Sequence, residues 1–184
     1  MVLDAFVHAK ARCSGLALLL APRHPERAGE VEEVIRARGL SQVRRTRLPD
    51  DTARGAVIIL DTVGELAQIY ALAEAVFVGG SLVPVGGHNM LEPAMRGKPV
   101  LFGPHTSNFR EGAELLQMNG GGLVVKDGEE LARELTRLLE DHELARRMGE
   151  AARAAFAGRQ GAVSATLDLI ARHLWPGPAA GSIR

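Results

Sequence analysis

The stretch from Phe77 to Phe109, FVGGSLVPVGGHNMLEPAMRGKPVLFGPHTSNF, constrains this chain more than any other. It reads as an apolar strand, a glycine-rich loop, a helix start carrying polar groups, a second strand and a second loop. An α/β protein builds a nucleotide-phosphate site in that order. The pairs Gly79-Gly80 and Gly86-Gly87 admit positive φ and a close approach of backbone to ligand. Amides near His88 and Asn89 at a helix start would point at an anion, with the helix dipole adding to the attraction. Glu92 lies one turn further, on the face of Asn89. A carboxylate there repels phosphate, so its fitting partner is a neutral hydroxyl pair such as a ribose diol.

Periodicity extends the pattern in both directions. Leu16 to Pro22 reads as a buried strand, and Val31, Val34 and Ile35 share one face of a helix that Gly39 stops. A weaker strand follows around Val43, then a strand over Ala56 to Leu60, a helix from Gly64 to Ala73 and a strand over Ala75 to Val78. A helix from Asn89 to Arg96 ends at Gly97, Pro99 to Phe102 is a strand, and a helix runs from Asn108 to Met118. GGLVV is a further strand and the remainder is helical. Leu131, Leu135, Leu138 and Leu139 form one apolar stripe, and Leu144, Met148, Ala152 and Phe156 another. The alternation with continuous apolar strands predicts an α/β fold, a Rossmann-like parallel sheet with flanking helices. One nucleotide-binding domain is expected over residues 1–175, with residues 176–184, rich in Pro and Gly, as a disordered tail.

Composition removes several function classes. Lys plus Arg equals 22 and Asp plus Glu equals 22, so no global charge draws the chain to nucleic acid. Arg44, Arg45 and Arg47 form the densest basic cluster, without interleaved aromatics, and read as a solvated edge. Cys13 is alone, which gives no basis for disulfide, zinc or thiol chemistry. No apolar run reaches the roughly 20 residues of a membrane span, and no signal-peptide pattern follows Met1. No Asp-x-Asp pattern calls for a metal.

Four ordered segments carry a resemblance: APRHPER (Ala21 to Arg27), DTVGELAQIYALAEAVFVGGS (Asp61 to Ser81), GGHNMLEPA (Gly86 to Ala94) and FGPHTSNF (Phe102 to Phe109). Together they resemble the C-terminal half of the Kdo transferases, which move 3-deoxy-D-manno-octulosonic acid (Kdo) from CMP-Kdo onto lipid A precursors. Val63 stands where that family usually has Met, and Met90 where it usually has Pro. The resemblance implies the donor-binding half of an inverting GT-B glycosyltransferase of lipopolysaccharide biosynthesis, with no cofactor or metal, at the cytoplasmic face of the inner membrane. It also implies that a strand precedes the helix over Val2 to Arg12, so that this sequence by itself leaves a gap in the middle of the sheet. An N-terminal acceptor domain would hold the membrane anchor, the glutamate general base and a lysine for the leaving group. The 184 residues alone are therefore expected to be inactive.

By the same resemblance Pro22, Arg23, Val63, Gly64, Glu65, Asn89, Met90, Leu91 and Glu92 contact CMP, and Ser81 and His88 contact sugar or phosphate. His105, Asn108 and Phe109 border the cleft, and His24 has a role there or a bond across its own loop. Bland readings stand beside each. Arg23 also reads as a solvated turn residue, Asp61 or Thr62 as an N-cap with Glu65 completing the capping pattern, and Asn89 and Glu92 as a cap and a dipole-favoured first-turn acid. Two other function classes remain open: a GT-B enzyme using a UDP-sugar, such as a UDP-N-acetylglucosamine epimerase, and a nucleotide-binding domain without catalysis. The loop from Val63 to Glu65, expected to read the base, discriminates between donors.

Overall fold

The computed structural model describes residues 1–48 and 55–157. In order, the chain forms α1 (Val2–Arg12), β1 (Leu18–Leu20), α2 (Ala28–Arg36), β2 (Gln42–Arg44), β3 (Val57–Ile59), α3 (Leu66–Ile69) and β4 (Val76–Val78). Then come α4 (Leu91–Met95), β5 (Val100–Phe102), α5 (Arg110–Met118), β6 (Gly122–Val124), α6 (Gly128–Glu140) and α7 (His142–Ala157). Short 3₁₀ turns at Pro25–Arg27, Arg45–Arg47, Tyr70–Leu72 and Ser107–Phe109 join them.

The strands make two three-stranded ladders, in the orders β1-β3-β2 and β4-β5-β6, and every pairing is parallel. Among the described residues no backbone hydrogen bond joins the two ladders. The central strands β3 and β5 are buried at all three positions. Apolar β1 and two of the three residues of β4, each strand with one unpaired edge, stay half-buried.

Helix α1 crosses between the two halves. Its Leu3 and Phe6 pack with Ile35, Val57 and Ile59 beside β3, while Ala5 packs with Leu101, Val125 and Leu131 beside β5. Its closest helical neighbour is α6, and Arg12 pairs with Glu140 at the end of that helix. Lys10 donates to the Gly55 carbonyl and lies 5.7 Å from the centroid of the Phe6 ring. The start of α6 is set by Asp127, which accepts from the Glu130 amide, while the Glu130 carboxylate accepts from the Lys126 amide. Helix α7 closes the second half, with Ala152 and Phe156 joining the cluster around Phe102 and Leu116.

Several expectations are corrected. Of Val31, Val34 and Ile35 only Ile35 is buried in the core and Val34 is exposed, because Val34 lies one position, about 100°, off Ile35. The helix expected over Gly64 to Ala73 is one α-turn followed by a 3₁₀ turn. The helix expected from Asn89 to Arg96 is five residues long. The expected tail, residues 176–184, lies outside the described residues.

Phe6 is buried at the junction of the halves, and Phe→Ala truncation at such a site costs about 3–5 kcal/mol. Phe6→Ala is expected to lower the stability of the chain by that amount in urea unfolding. A loss under 1 kcal/mol would mean that α1 is not what holds the halves together.

Candidate active site

Within each parallel ladder the strands end on one edge, where the loops after β1 and β3 emerge in the first ladder and those after β4 and β5 in the second. Pro22 and Arg23 follow β1, and Arg23 is exposed, with no ion pair or hydrogen bond among the described residues. His24 does not reach across the fold. Its Nδ1 lies 3.3 Å from a Glu26 oxygen.

After β3, Asp61 turns away from the helix it was expected to cap. Its carboxylate accepts from the Thr46 amide (3.0 Å) and hydroxyl (2.6 Å), and the residue before α3 is Glu65, with no side-chain cap. Partial desolvation pushes the Asp61 carboxyl up, and the Thr46 bonds outweigh it, leaving the group below the usual Asp range. Glu65 pairs with Arg45 at 2.9 Å, and Arg44 grips Glu32 with two 2.8 Å bonds. Arg44's bonds hold the Glu32 carboxyl below its ordinary range. The basic cluster is therefore not simply a solvated edge, since two of its arginines fasten α2 and the loop after β3. Val63 and Gly64 are exposed, and the amides of Val63, Gly64 and Glu65 donate to no described acceptor. Thr62 Oγ1 is buried in the same loop without a hydrogen-bond partner among the described residues.

The glycine loop after β4 folds back on itself. The amides of Gly87 and His88 donate to the carbonyls of Gly80 and Gly79, and Asn108 Nδ2 donates to the carbonyls of Val85 and Gly87. Gly86 has φ +99°, and a Cβ there would lie 2.6 Å from Asn108 Nδ2, so this position requires glycine. Ser81 is fully buried. Its hydroxyl donates to the Val78 carbonyl and accepts from the Gly103 amide, so it knits the ends of β4 and β5 and is not turned to the cleft. His88 is exposed beside Gly79 and Gly80, whereas the His105 amide is anchored to the Ser81 carbonyl.

At the start of α4, Asn89 Oδ1 accepts from the Leu91 amide and Asn89 Nδ2 donates to Glu92 Oε1 at 2.9 Å. The cap occupies the Leu91 amide, leaving those of Asn89 and Met90 as donors with no described acceptor. Met90's side chain is wholly buried in the core and Leu91 packs against it, so these two residues offer backbone only. A helix of five residues supplies a smaller dipole than expected. Glu92 is exposed, and its second oxygen has no described partner.

Tyr70, which the motifs did not single out, belongs to this region. Burial pushes its phenol up to about 12, with the charge of Glu92 adding to the effect. Folding keeps the phenol neutral, so its contribution to stability is intact below pH 10, the ordinary value, and is lost as pH rises through 12. It is the chain's single tyrosine, so tyrosinate absorbance reads it directly. The midpoint is expected near 12 and should move back toward 10 in Glu92→Gln. A wild-type midpoint at 10 would show that Tyr70 is not buried beside α4.

A family model described as glycosyl transferases group 1 matches residues 53–155. The chain is 38% identical over 167 residues to a 3-deoxy-D-manno-octulosonic acid transferase of Haemophilus influenzae, covering 89% of this chain and 39% of that protein. It is 38% identical over 139 residues to the Aquifex aeolicus enzyme of the same description, covering 76% and 38%. The chain thus spans about two fifths of the length of these curated relatives. Among solved structures, the C-terminal CMP-Kdo binding domain of WaaA from Acinetobacter baumannii matches with a TM-score of 0.78 and 30% identity, covering 85% of this chain and 81% of that one. With more than half of its length matched by the family model, and with parallel ladders and flanking helices in keeping with it, the chain belongs to the group 1 glycosyl transferases.

Proposed function

We propose that this chain is the donor-binding half of a Kdo transferase and holds CMP-Kdo at the carboxyl edge of its two ladders. One observation carries the reading. Groups without a described partner, namely Arg23, the amides of Val63 to Glu65 and of Asn89 and Met90, and one Glu92 oxygen, lie in the segments that follow β1, β3 and β4, in a chain similar to a CMP-Kdo binding domain.

In this reading the amides of Asn89 and Met90 and the guanidinium of Arg23 take the phosphate, where charge-assisted bonds are strongest. The free Glu92 oxygen accepts from the ribose hydroxyls, with Asn89 holding the carboxylate in place. The loop Val63 to Glu65 meets the base edge with backbone groups, steadied by the ion pair from Arg45 to Glu65. His88 is available to the sugar carboxylate. As the bond between the anomeric carbon and the CMP phosphate breaks, negative charge grows on phosphate, and the same fixed donors stabilise it without a metal. A lipid A precursor hydroxyl attacks that carbon with inversion. The general base comes from the acceptor half, as do the contacts with the inner membrane, at its cytoplasmic face. Among the described residues no helix is long and apolar enough to cross a membrane.

Calorimetric titration of the chain is expected to show binding of CMP in preference to UMP and NAD. Glu92→Gln should weaken CMP by about 1.5–3 kcal/mol while leaving 2',3'-dideoxy-CMP nearly unaffected, and Arg23→Ala should weaken both alike. Equal affinity for UMP would defeat the cytidine assignment. Given CMP-Kdo and a lipid A precursor, the 184 residues alone should give no turnover, and addition of a separately expressed acceptor half should restore it. Turnover by the chain alone would make Glu65, His88 or His105 the base.

A further inference from the structure

A second polar cleft lies at the opposite end of the β4-β5-β6 ladder. It has a volume of about 370 Å³, and its walls are the residues that enter β4 and β5, Glu74 and Lys98 among them, together with one face of α7. That volume falls in the range of about 300–1,000 Å³ typical of small-molecule sites. Its floor is a backbone contact. A Cβ on Gly149 would come within 2.0 Å of the Gly97 carbonyl oxygen, so α7 lies against the turn between α4 and β5 and fixes the cleft's shape.

The charges lining it are unbalanced. Four cationic side chains, Arg96, Lys98, Arg146 and Arg153, face two carboxylates, Glu74 and Glu150, although the chain as a whole is neutral. Arg146 is already matched, at 2.7 Å to Glu143 and 2.5 Å to Glu150. Arg96, Lys98 and Arg153 pair with no carboxylate among the described residues. The carbonyls at the end of α4 account for a cation at Arg96. They do not account for half-buried Lys98, or for Arg153 reaching back over Gly97 from α7. Three cations from two segments, the turn between α4 and β5 and helix α7, lining one cleft and short of counter-charge, suit a ligand with a compact multivalent anion.

We propose that this cleft binds a phosphate group, as a second anion site separate from the cytidine site. Phosphate supplies enough acceptor oxygens for Arg96, Lys98 and Arg153 together. The cavity is larger than a bare ion, so the phosphate is an ester, carried either on a soluble molecule or on a lipid headgroup at a membrane surface. The site does not depend on the reading of the donor site, because it shares no residue with it.

The test uses the whole 184-residue chain saturated with CMP. Glycerol 1-phosphate is titrated by calorimetry, and co-sedimentation is measured with vesicles of phosphatidic acid and phosphatidylcholine against vesicles of phosphatidylcholine alone. Saturable binding of glycerol 1-phosphate would identify a soluble ester, and binding confined to the anionic vesicles a lipid headgroup. Both outcomes support the site. Lys98→Gln with Arg153→Gln should weaken the interaction by about 20-fold, and Glu74→Gln, which removes a repelling carboxylate, should tighten it about threefold. A folding defect could not produce that tightening. The proposal is overturned if neither probe binds, if the double variant binds as the wild type does, or if Glu74→Gln weakens binding.

Discussion

The packing of α1 across the two ladders is the constraint on which the rest of this structure depends. No described backbone hydrogen bond links β1-β3-β2 to β4-β5-β6, so their relative position is set by side chains. Leu3 and Phe6 enter the cluster around Val57 and Ile59, and Ala5 enters the one around Leu101 and Leu131. Polar ties surround that contact: Asp4 with Arg38, Lys10 with the Gly55 carbonyl, and Arg12 with Glu140. The exposed ion pairs add little beside the buried side chains, each worth about 1.5–3 kcal/mol.

Function inherits this constraint. The proposed cytidine site takes Arg23 and the Val63 to Glu65 loop from one ladder and the Asn89 to Glu92 segment from the other. A nucleotide bridging them is sensitive to any shift of one half against the other. Tyr70, in the segment that connects the halves, is partly buried and feels the charge of Glu92. Within the second half the loops need less help, because Ser81 and Asn108 bind the glycine loop to the loop after β5 through buried or backbone-directed hydrogen bonds. In the proposed site the Asn89 to Glu92 segment is thus tied within its own half, while the placement of Arg23 and of the Val63 to Glu65 loop against it depends on α1.

The strands were legible in the sequence because buried parallel strands are continuous apolar runs, and each was placed within two residues. Local glycines and the Asn89 cap were legible for the same reason, since their causes lie within a few positions. What sequence reading misplaced was non-local. Asp61 resembled an N-cap until Thr46, fifteen residues earlier, took its carboxylate. Arg44 and Arg45 resembled solvent-facing charges until Glu32 and Glu65 met them. Ser81 resembled a ligand contact, yet the turn that buries it is closed by Gly103, twenty-two residues on. The cleft by Lys98 and Arg153 left no sequence signal, because its charges come from segments far apart in the chain.

The central claim is that the strand-end edge, and not the cleft at the other end, receives the cytidine nucleotide. Backbone amide shifts of the ¹⁵N-labelled chain during a CMP titration test it most directly. The account predicts perturbations at Arg23, at Val63 to Glu65 and at His88 to Glu92, saturating together with one affinity. Perturbations that leave those residues unchanged and gather at Glu74, Gly97, Lys98 and Arg153 would contradict it.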